Sequence, residues 1–360
     1  MREEQRTSVS AWALAVILLG ACATWAAVGD QLPEAPILGD ISLRYVAPIV
    51  CDWNHDGQDD LVLCTRSGDI AILETASGIM DLAIRRAYYL VSVSSDGDGP
   101  RTRISASSSL TSPSIDVVDW TGDGALDVVA FDSNLALWVH PGVPERMDQL
   151  GSPIPVQFTD GTQVAFPRCV EWGANAAVRV LDWDDDGVQD LLVAVDECYL
   201  LRGSASFPEY ERPADWNQAS FCSTGNPARE NLELFGLSGY GVIPWGVDWN
   251  RDGRLDVLIG YAANLPDRTL GRVLLAVNDG SNRRPRFDQA DLPDDDLFLR
   301  TGSGQAVGCG TGATVAVWDV DRDGQWDALV GGSGPLALYL GNGTRTVQAV
   351  WVLDTVQAGG

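Results

Sequence analysis

Apolar residues in this chain gather in short runs, and five pairs of runs bracket the same nine-residue polar segment. Ahead of the segment lie runs such as Tyr45 to Cys51, Ile115 to Val118, Val178 to Leu181 and Ala313 to Trp318. Behind it lie Leu61-Val62-Leu63, Val128-Val129-Ala130, Leu191-Leu192-Val193, Val257-Leu258-Ile259 and Ala328-Leu329-Val330. Runs this short, bounded by Asp and Gly, predict strands joined by tight loops. A short turn then leads to a third run: Asp69 to Leu73, Leu135 to Val139, Tyr199 to Arg202, Arg272 to Val277 and Leu336 to Leu340. A longer, variable segment returns to the next unit, and parts of it, such as Ala87 to Ser94, have the pattern of a fourth strand. No convincing amphipathic helix of ten or more residues interrupts this order.

The polar segments are DWNHDGQDD from Asp52, DWTGDGALD from Asp119, DWDDDGVQD from Asp182, DWNRDGRLD from Asp248 and DVDRDGQWD from Asp319. Their starts lie 67, 63, 66 and 71 residues apart, so the segment belongs to a repeating unit. Oxygen side chains fill positions 1, 3, 5 and 9, and glycine fills position 6. Several carboxylates so close together require neutralisation. Ca²⁺ supplies it, accepting roughly six to eight oxygen ligands in a forgiving geometry, with the carbonyl of position 7 as a further donor. The expected ligands are Asp52, Asn54, Asp56, Gln58 and Asp60 in the first loop, and Asp119, Thr121, Asp123, Ala125 and Asp127 in the second. They are Asp182, Asp184, Asp186, Val188 and Asp190 in the third, Asp248, Asn250, Asp252, Arg254 and Asp256 in the fourth, and Asp319, Asp321, Asp323, Gln325 and Asp327 in the fifth. Up to five Ca²⁺ ions follow. Thr121 and Gly122 make the second loop the weakest.

An EF-hand shares the first six positions but needs Glu at position 12 and flanking helices. Position 12 is Leu63, Ala130, Val193, Ile259 and Val330 in turn, which rejects it. Magnesium suits the loops less, because it demands a strict octahedron, and no His or Cys cluster has zinc spacing. One copy alone would read equally well as an Asx turn; five copies favour metal.

Four strands per unit, repeated, are the signature of a β-propeller. With its Asp-rich loops, the chain resembles the FG-GAP (VCBS) repeats of integrin α-subunits and many secreted proteins. The resemblance covers about residues 34 to 360 and is specific at the loops. It implies an all-β propeller of about five four-stranded blades with a calcium loop between the first two strands of each. The blades fall at about 43–110, 111–175, 176–240, 241–308 and 309–360, with 34–42 available as a closing strand. The literal Phe-Gly…Gly-Ala-Pro signature is missing, and integrin heads have seven blades. Trp53, Trp120, Trp183 and Trp249 occupy loop position 2, where packing between blades is expected before ligand stacking.

The formal charge is −26, and loop ligands supply 17 of the 50 acidic residues, so much of the acidity is metal-site chemistry. With no basic face, nucleic acid is excluded as a partner. Residues 1–29 read as a secretory signal: Arg2 and Arg6 precede an apolar run from Ala11 to Ala21, with small residues at Ala21/Ala23 or Thr24/Ala26 for cleavage. Glu3 and Glu4 weaken the basic start, residues 7–29 carry no charge, and Leu19 to Cys22 resembles a lipoprotein box. The expectation is a secreted, extracellular protein, with a membrane tether through uncleaved residues 7–29 as the alternative. Beyond Cys22 six cysteines remain, an even number that points to disulfides, with Cys51–Cys64 the first pairing to expect and small buried thiols the alternative.

No catalytic constellation stands out. The two histidines are His55 and His140, and the Gly-Ser-Gly segments at Gly302 and Gly332 lack the nucleophile-elbow pattern. The function expected is a non-catalytic, adhesion-type module for an extracellular protein or glycan, with Phe207 to Phe221, carrying Tyr210 and Trp216, as the first surface to consider and outer-strand packing as its alternative. The other class is a calcium-dependent carbohydrate-active enzyme such as a polysaccharide lyase. That would need a Lys, Arg, Tyr or His base beside an open calcium, and no residue nominates itself.

Overall fold

The computed structural model describes residues 41–360 apart from 66–67, 93–101, 104–114, 133, 145, 166–175, 195–197, 205–207, 211–239, 266–267, 288–296, 311 and 357–360. The expected signal or anchor in residues 1–29, Cys22, Cys169, Cys222 and Trp216 lie outside the described residues. All described residues belong to one compact unit, Leu38–Gly360.

The described chain is all-β, without an α-helix. Repeat 1 is an antiparallel sheet of Val46–Cys51, Asp60–Thr65, Ile70–Thr75 and Ile84–Tyr89. Repeat 2 has Asp116–Val118, Asp127–Phe131, Leu137–His140 and Ile154–Pro155. Repeat 3 has Ala177–Leu181, Asp190–Ala194 and Cys198–Leu201, and repeat 4 has Tyr240–Val247, Asp256–Leu265 and Arg268–Ala276. Repeat 5 has Ala313–Trp318, Asp327–Gly332, Leu336–Leu340 and Thr346–Leu353. Four strands therefore pair in sequence in repeats 1, 2 and 5. Repeats 3 and 4 show three each among the described residues, and the return segments that follow them fall partly on 211–239 and 288–296.

Each polar loop joins the first and second strands of its repeat, and the residue before the loop pairs with the aspartate at position 9 in all five: Cys51↔Asp60, Val118↔Asp127, Leu181↔Asp190, Val247↔Asp256 and Trp318↔Asp327. Because side chains alternate across a strand, this common register gives every sheet two apolar faces. The core is correspondingly divided. One buried cluster lies between repeats 2 and 3 (Phe131, Leu137, Val178, Leu191, Tyr210), a second between 3 and 4, a third between 4 and 5, and a fourth joins repeat 5 to repeat 1 through Val46, Leu61, Ala316 and Leu329.

The first strand of each repeat touches the first strand of the next, and that of repeat 5 touches that of repeat 1. Val46 bridges Gly332, and Thr314 Oγ1 donates to the Val46 carbonyl at 3.0 Å. Beyond this contact, Ile41–Ser42 pairs antiparallel with Thr355–Val356, and Arg44 forms an ion pair with Asp354 at 2.8 Å.

Parallel two-residue ladders add further ties between successive repeats: Val91–Ser92 with Gln149–Leu150, Gln157–Phe158 with Glu209–Tyr210, and Arg300–Thr301 with Thr346–Val347. The four tryptophans at loop position 2 are buried and face the following repeat. Trp53 Nε1 donates to the Met147 carbonyl at 3.1 Å, Trp120 meets Tyr210, Trp183 lies against Gly246, and Trp249 Nε1 donates to the Thr344 carbonyl at 2.8 Å. In repeat 5, Val320 fills the corresponding place against repeat 1.

The expected Cys51–Cys64 disulfide does not form. In the register Cys51 faces Asp60 while Cys64 faces Ala47, so the two thiols stand four residues apart along the hairpin, beyond the span of a disulfide. Cys64 is fully buried, and burial pushes its thiol up to about 12. It serves as a small apolar core residue, as do Cys198 and Cys309.

Candidate metal centres

The five loops share one backbone conformation. Glycine at position 6 has positive φ in each: Gly57 (83°), Gly124 (88°), Gly187 (86°), Gly253 (86°) and Gly324 (85°). Position 4 is left-handed as well, at His55 (58°), Gly122 (73°), Asp185 (59°), Arg251 (58°) and Arg322 (59°). For the four non-glycine residues this costs roughly 1–2 kcal/mol each. Gly122, expected to weaken the second loop, is the residue that adopts the bend without strain. Thr121 alone is the deficit there.

Side-chain oxygens hold the bend. In the first four loops the position 1 carboxylate gathers the N–H groups of positions 5 and 6, as when Asp52 accepts from Asp56 (3.0 Å) and Gly57 (2.9 Å), and Asp182 from Asp186 (3.1 Å) and Gly187 (2.8 Å). In the fifth, Asp319 accepts from Gly324 and the Asp323 N–H turns to Asp321. The position 5 carboxylate accepts from the N–H of position 7, at Gln58, Ala125, Val188, Arg254 and Gln325, over 2.7–3.0 Å.

Two loops bring three carboxylates together. Oxygens of Asp182, Asp184 and Asp190, and those of Asp319, Asp321 and Asp327, lie within 4.8 Å of one another, a spacing at which either group could hold a metal ion. Positions 1, 3 and 9 form both clusters, while Asp186 and Asp323 at position 5 stand outside them. Loops 1, 2 and 4 carry Asn54, Thr121 and Asn250 at position 3, which leaves two acidic oxygens where the others have three. Asp184 Oδ1 and Asp319 Oδ1 are buried without a hydrogen-bond partner among the described residues. Oxygen-only donors with orphaned lone pairs fit a hard cation.

Position 9 does more than the sequence implied. Asp60, Asp127, Asp190, Asp256 and Asp327 are all buried. Each turns one oxygen to the loop entrance, toward the N–H of Trp53, Trp120, Trp183, Asn250 or Val320. The other accepts the N–H of a residue at the end of the third strand or within two residues of it: Thr75 (2.8 Å), Gly142 (2.7 Å), Gly203 (2.7 Å), Asn278 (2.8 Å) or Gly341 (2.9 Å). At Gly142, Gly203 and Gly341 a Cβ would collide with the carbonyl of loop position 8. Where Thr75 and Asn278 stand instead, their side chains donate to that carbonyl, of Asp59 (2.8 Å) and Leu255 (3.1 Å). A glycine 13 to 15 residues after the last loop aspartate was the signal available for this contact.

Burial raises the carboxyl of Asp60 to about 7 and those of Asp190, Asp256 and Asp327 to about 6, and it raises Asp127, against the pull of the main-chain donors. A cation among these oxygens would take the place of the proton.

Arginines reach several loops. Arg202 Nη1 lies 3.3 Å from Asp184 and 3.4 Å from Asp190, Arg85 lies 3.0 Å from Asp56, and Arg254 pairs with Asp252. Of the other residues singled out in the sequence, His55 is exposed at the loop tip, and His140 is largely buried, which lowers it to about 4 and keeps it neutral. Tyr210 is fully buried against Trp120, so the packing role holds for it and it offers nothing to a ligand.

No known sequence family and no characterised protein matches the chain. Among solved structures, a lectin of Agrocybe aegerita, described as recognising non-reducing terminal N-acetylglucosamine, aligns at 12% identity and a TM-score of 0.39, over 87% of this chain and 81% of the lectin. BBS1N, solved in complex with ARL6DN, aligns at 8% identity and a TM-score of 0.36, over 89% and 85%. At these scores the alignments carry no argument about ligand or partner.

Proposed function

We propose that this chain is a secreted, calcium-stiffened β-propeller of the FG-GAP/VCBS kind, with five blades, acting as a non-catalytic module that binds an extracellular protein or glycan. The observation that carries the reading is the recurrence of one loop conformation at the same register in five sheets, with three carboxylates converging in two of them. The order of contacts supports a ring: first strand to first strand from repeat 1 to repeat 5 and back to repeat 1, with the Ile41–Ser42 ladder on Thr355–Val356 as its fastening.

Calcium supplies charge neutralisation, and the chain's own residues do the rest. The position 1 and position 5 carboxylates fix the bend, position 9 ties the loop to the third strand, and positions 1, 3 and 9 would hold the ion, with position 7 carbonyls as further donors. Binding is favoured over catalysis because the loop carboxylates accept main-chain amides, as Asp52, Asp56 and Asp60 do in the first loop, and the oxygens left over are those that would hold the cation.

The test is a thermal melt of the full chain with calcium, with magnesium and with chelator. A ligand that binds only the folded state adds roughly 2.7 kcal/mol per site at a hundredfold excess over Kd. Calcium-specific stabilisation is the expected result, and identical melts would overturn the metal assignment. A glycan and cell-surface binding screen in calcium then addresses the partner, and release of unsaturated sugar from acidic polysaccharide would overturn the non-catalytic reading.

A further inference from the structure

The two three-carboxylate clusters differ in one respect. In repeat 3, Arg202 places Nη1 between Asp184 Oδ2 (3.3 Å) and Asp190 Oδ2 (3.4 Å), with its side chain only 20% exposed. Its other terminal nitrogen donates to the Asn282 carbonyl at 3.2 Å. Asn282 in turn donates to Asp185 of the third loop at 3.3 Å and accepts the N–H of Leu255, in the fourth loop, at 2.8 Å. A guanidinium thus neutralises part of the third cluster and links two neighbouring loops.

The fifth loop has no such group. Among the described residues, no arginine or lysine pairs with Asp319, Asp321, Asp323 or Asp327, and Arg322 within the loop turns instead to the Gly57 carbonyl of the first loop at 3.4 Å. Three converging carboxylates and an orphaned Asp319 Oδ1 stand there with no ion-paired cation among the described residues.

We infer that Arg202 occupies the cation position of the third loop as a built-in competitor of the divalent ion, and that the fifth loop takes calcium first. The inference rests on the reading of the loops as calcium sites. To fill the third site, the ion must displace the guanidinium and break its contact with Asn282, so occupancy there loosens the tie between repeats 3 and 4. The two loops then answer to different calcium concentrations: the fifth is permanently filled, and the third responds to the ion. At a separation of about 4 Å and an effective dielectric near 20, a guanidinium left beside the divalent ion would weaken binding by on the order of a millionfold. Because the side chain is able to swing into solvent, at least about tenfold is the expected effect.

The experiment is calcium titration of the full chain by calorimetry. Asp321→Asn should abolish the tightest site. Adding Arg202→Gln to Asp321→Asn should create a site at least about tenfold tighter than the Asp321→Asn chain retains, and Asp184→Asn on top should remove it. Arg202→Lys, which keeps the charge, should leave the third site weak and controls for a packing defect. If Arg202→Gln leaves calcium affinity unchanged or lowers it, or if Asp321→Asn spares the tightest site, the inference is wrong while calcium binding stands. If the unmodified chain takes up no calcium, the metal assignment and this inference fail together.

Discussion

Trp183 and Trp249 occupy the same loop position, are both fully buried, and differ in one bond. Trp249 Nε1 donates to the Thr344 carbonyl of the next repeat at 2.8 Å, whereas Trp183 Nε1 is buried without a partner among the described residues. Replacing each by phenylalanine exchanges the fused indole for a single ring and removes the N–H together with part of the ring carbon. At Trp249 this also removes a part-buried hydrogen bond to the exposed Thr344, worth about 0.5–1.5 kcal/mol more. At Trp183 it removes an N–H that already lacked an acceptor, and the remaining cost is the lost ring volume, about 1–2 kcal/mol, which Trp249→Phe shares. Truncation to alanine should cost about 3–5 kcal/mol at either site, because each ring fills the seam between two sheets. Urea unfolding in saturating calcium, with unchanged m, reads these differences as shifts of midpoint. Equal losses for Trp249→Phe and Trp183→Phe would refute the assignment of that hydrogen bond as a tie between repeats 4 and 5.

Gly341→Ala places a Cβ against the Trp326 carbonyl and disturbs the amide that Asp327 accepts, so a loss of about 1–3 kcal/mol is expected in the same unfolding assay. Arg179→Met should cost about 3–5 kcal/mol, since Arg179 is buried with Asp116 and lies over Trp245 with its guanidinium carbon 4.3 Å from the ring centroid; Arg179→Met with Asp116→Asn should recover part of that loss. In chelator, the raised position 9 carboxyls make the folded chain bind protons more tightly than the unfolded one. Their contribution to stability is therefore full below about pH 4 and is lost as the pH rises through about 6 to 7. Calcium replaces those protons, so the gap in Tm between calcium and chelator should widen from pH 4 to pH 7; a constant gap would separate position 9 from the metal.

Much of the architecture could be read from the order of residues. Periodicity decided that the runs beside each loop are strands, because a buried hairpin needs short apolar stretches and a glycine at the bend, and those features are local. The repeat spacing likewise marked five equivalent units, and the predicted Ala313–Trp318 and Leu336–Leu340 strands are found as written. The tryptophans at position 2 were readable as packing residues for the same reason, since a feature repeated in every unit answers a need that every unit shares.

Tertiary structure decided what depends on distances between units. The guanidinium that enters one of the two three-carboxylate loops comes from Arg202, just past the third strand, where no loop motif reaches. The cysteines illustrate the same limit: Cys51 and Cys64 flank one loop in sequence, yet the strand register holds them four residues apart. Sequence alone determined the repeating hairpin and its oxygen-rich tip, because the forces behind these act within a dozen residues. The seams between sheets, the buried aspartate that ties each loop to its third strand, and the choice between arginine and metal required the folded chain, because they are set where one element meets another.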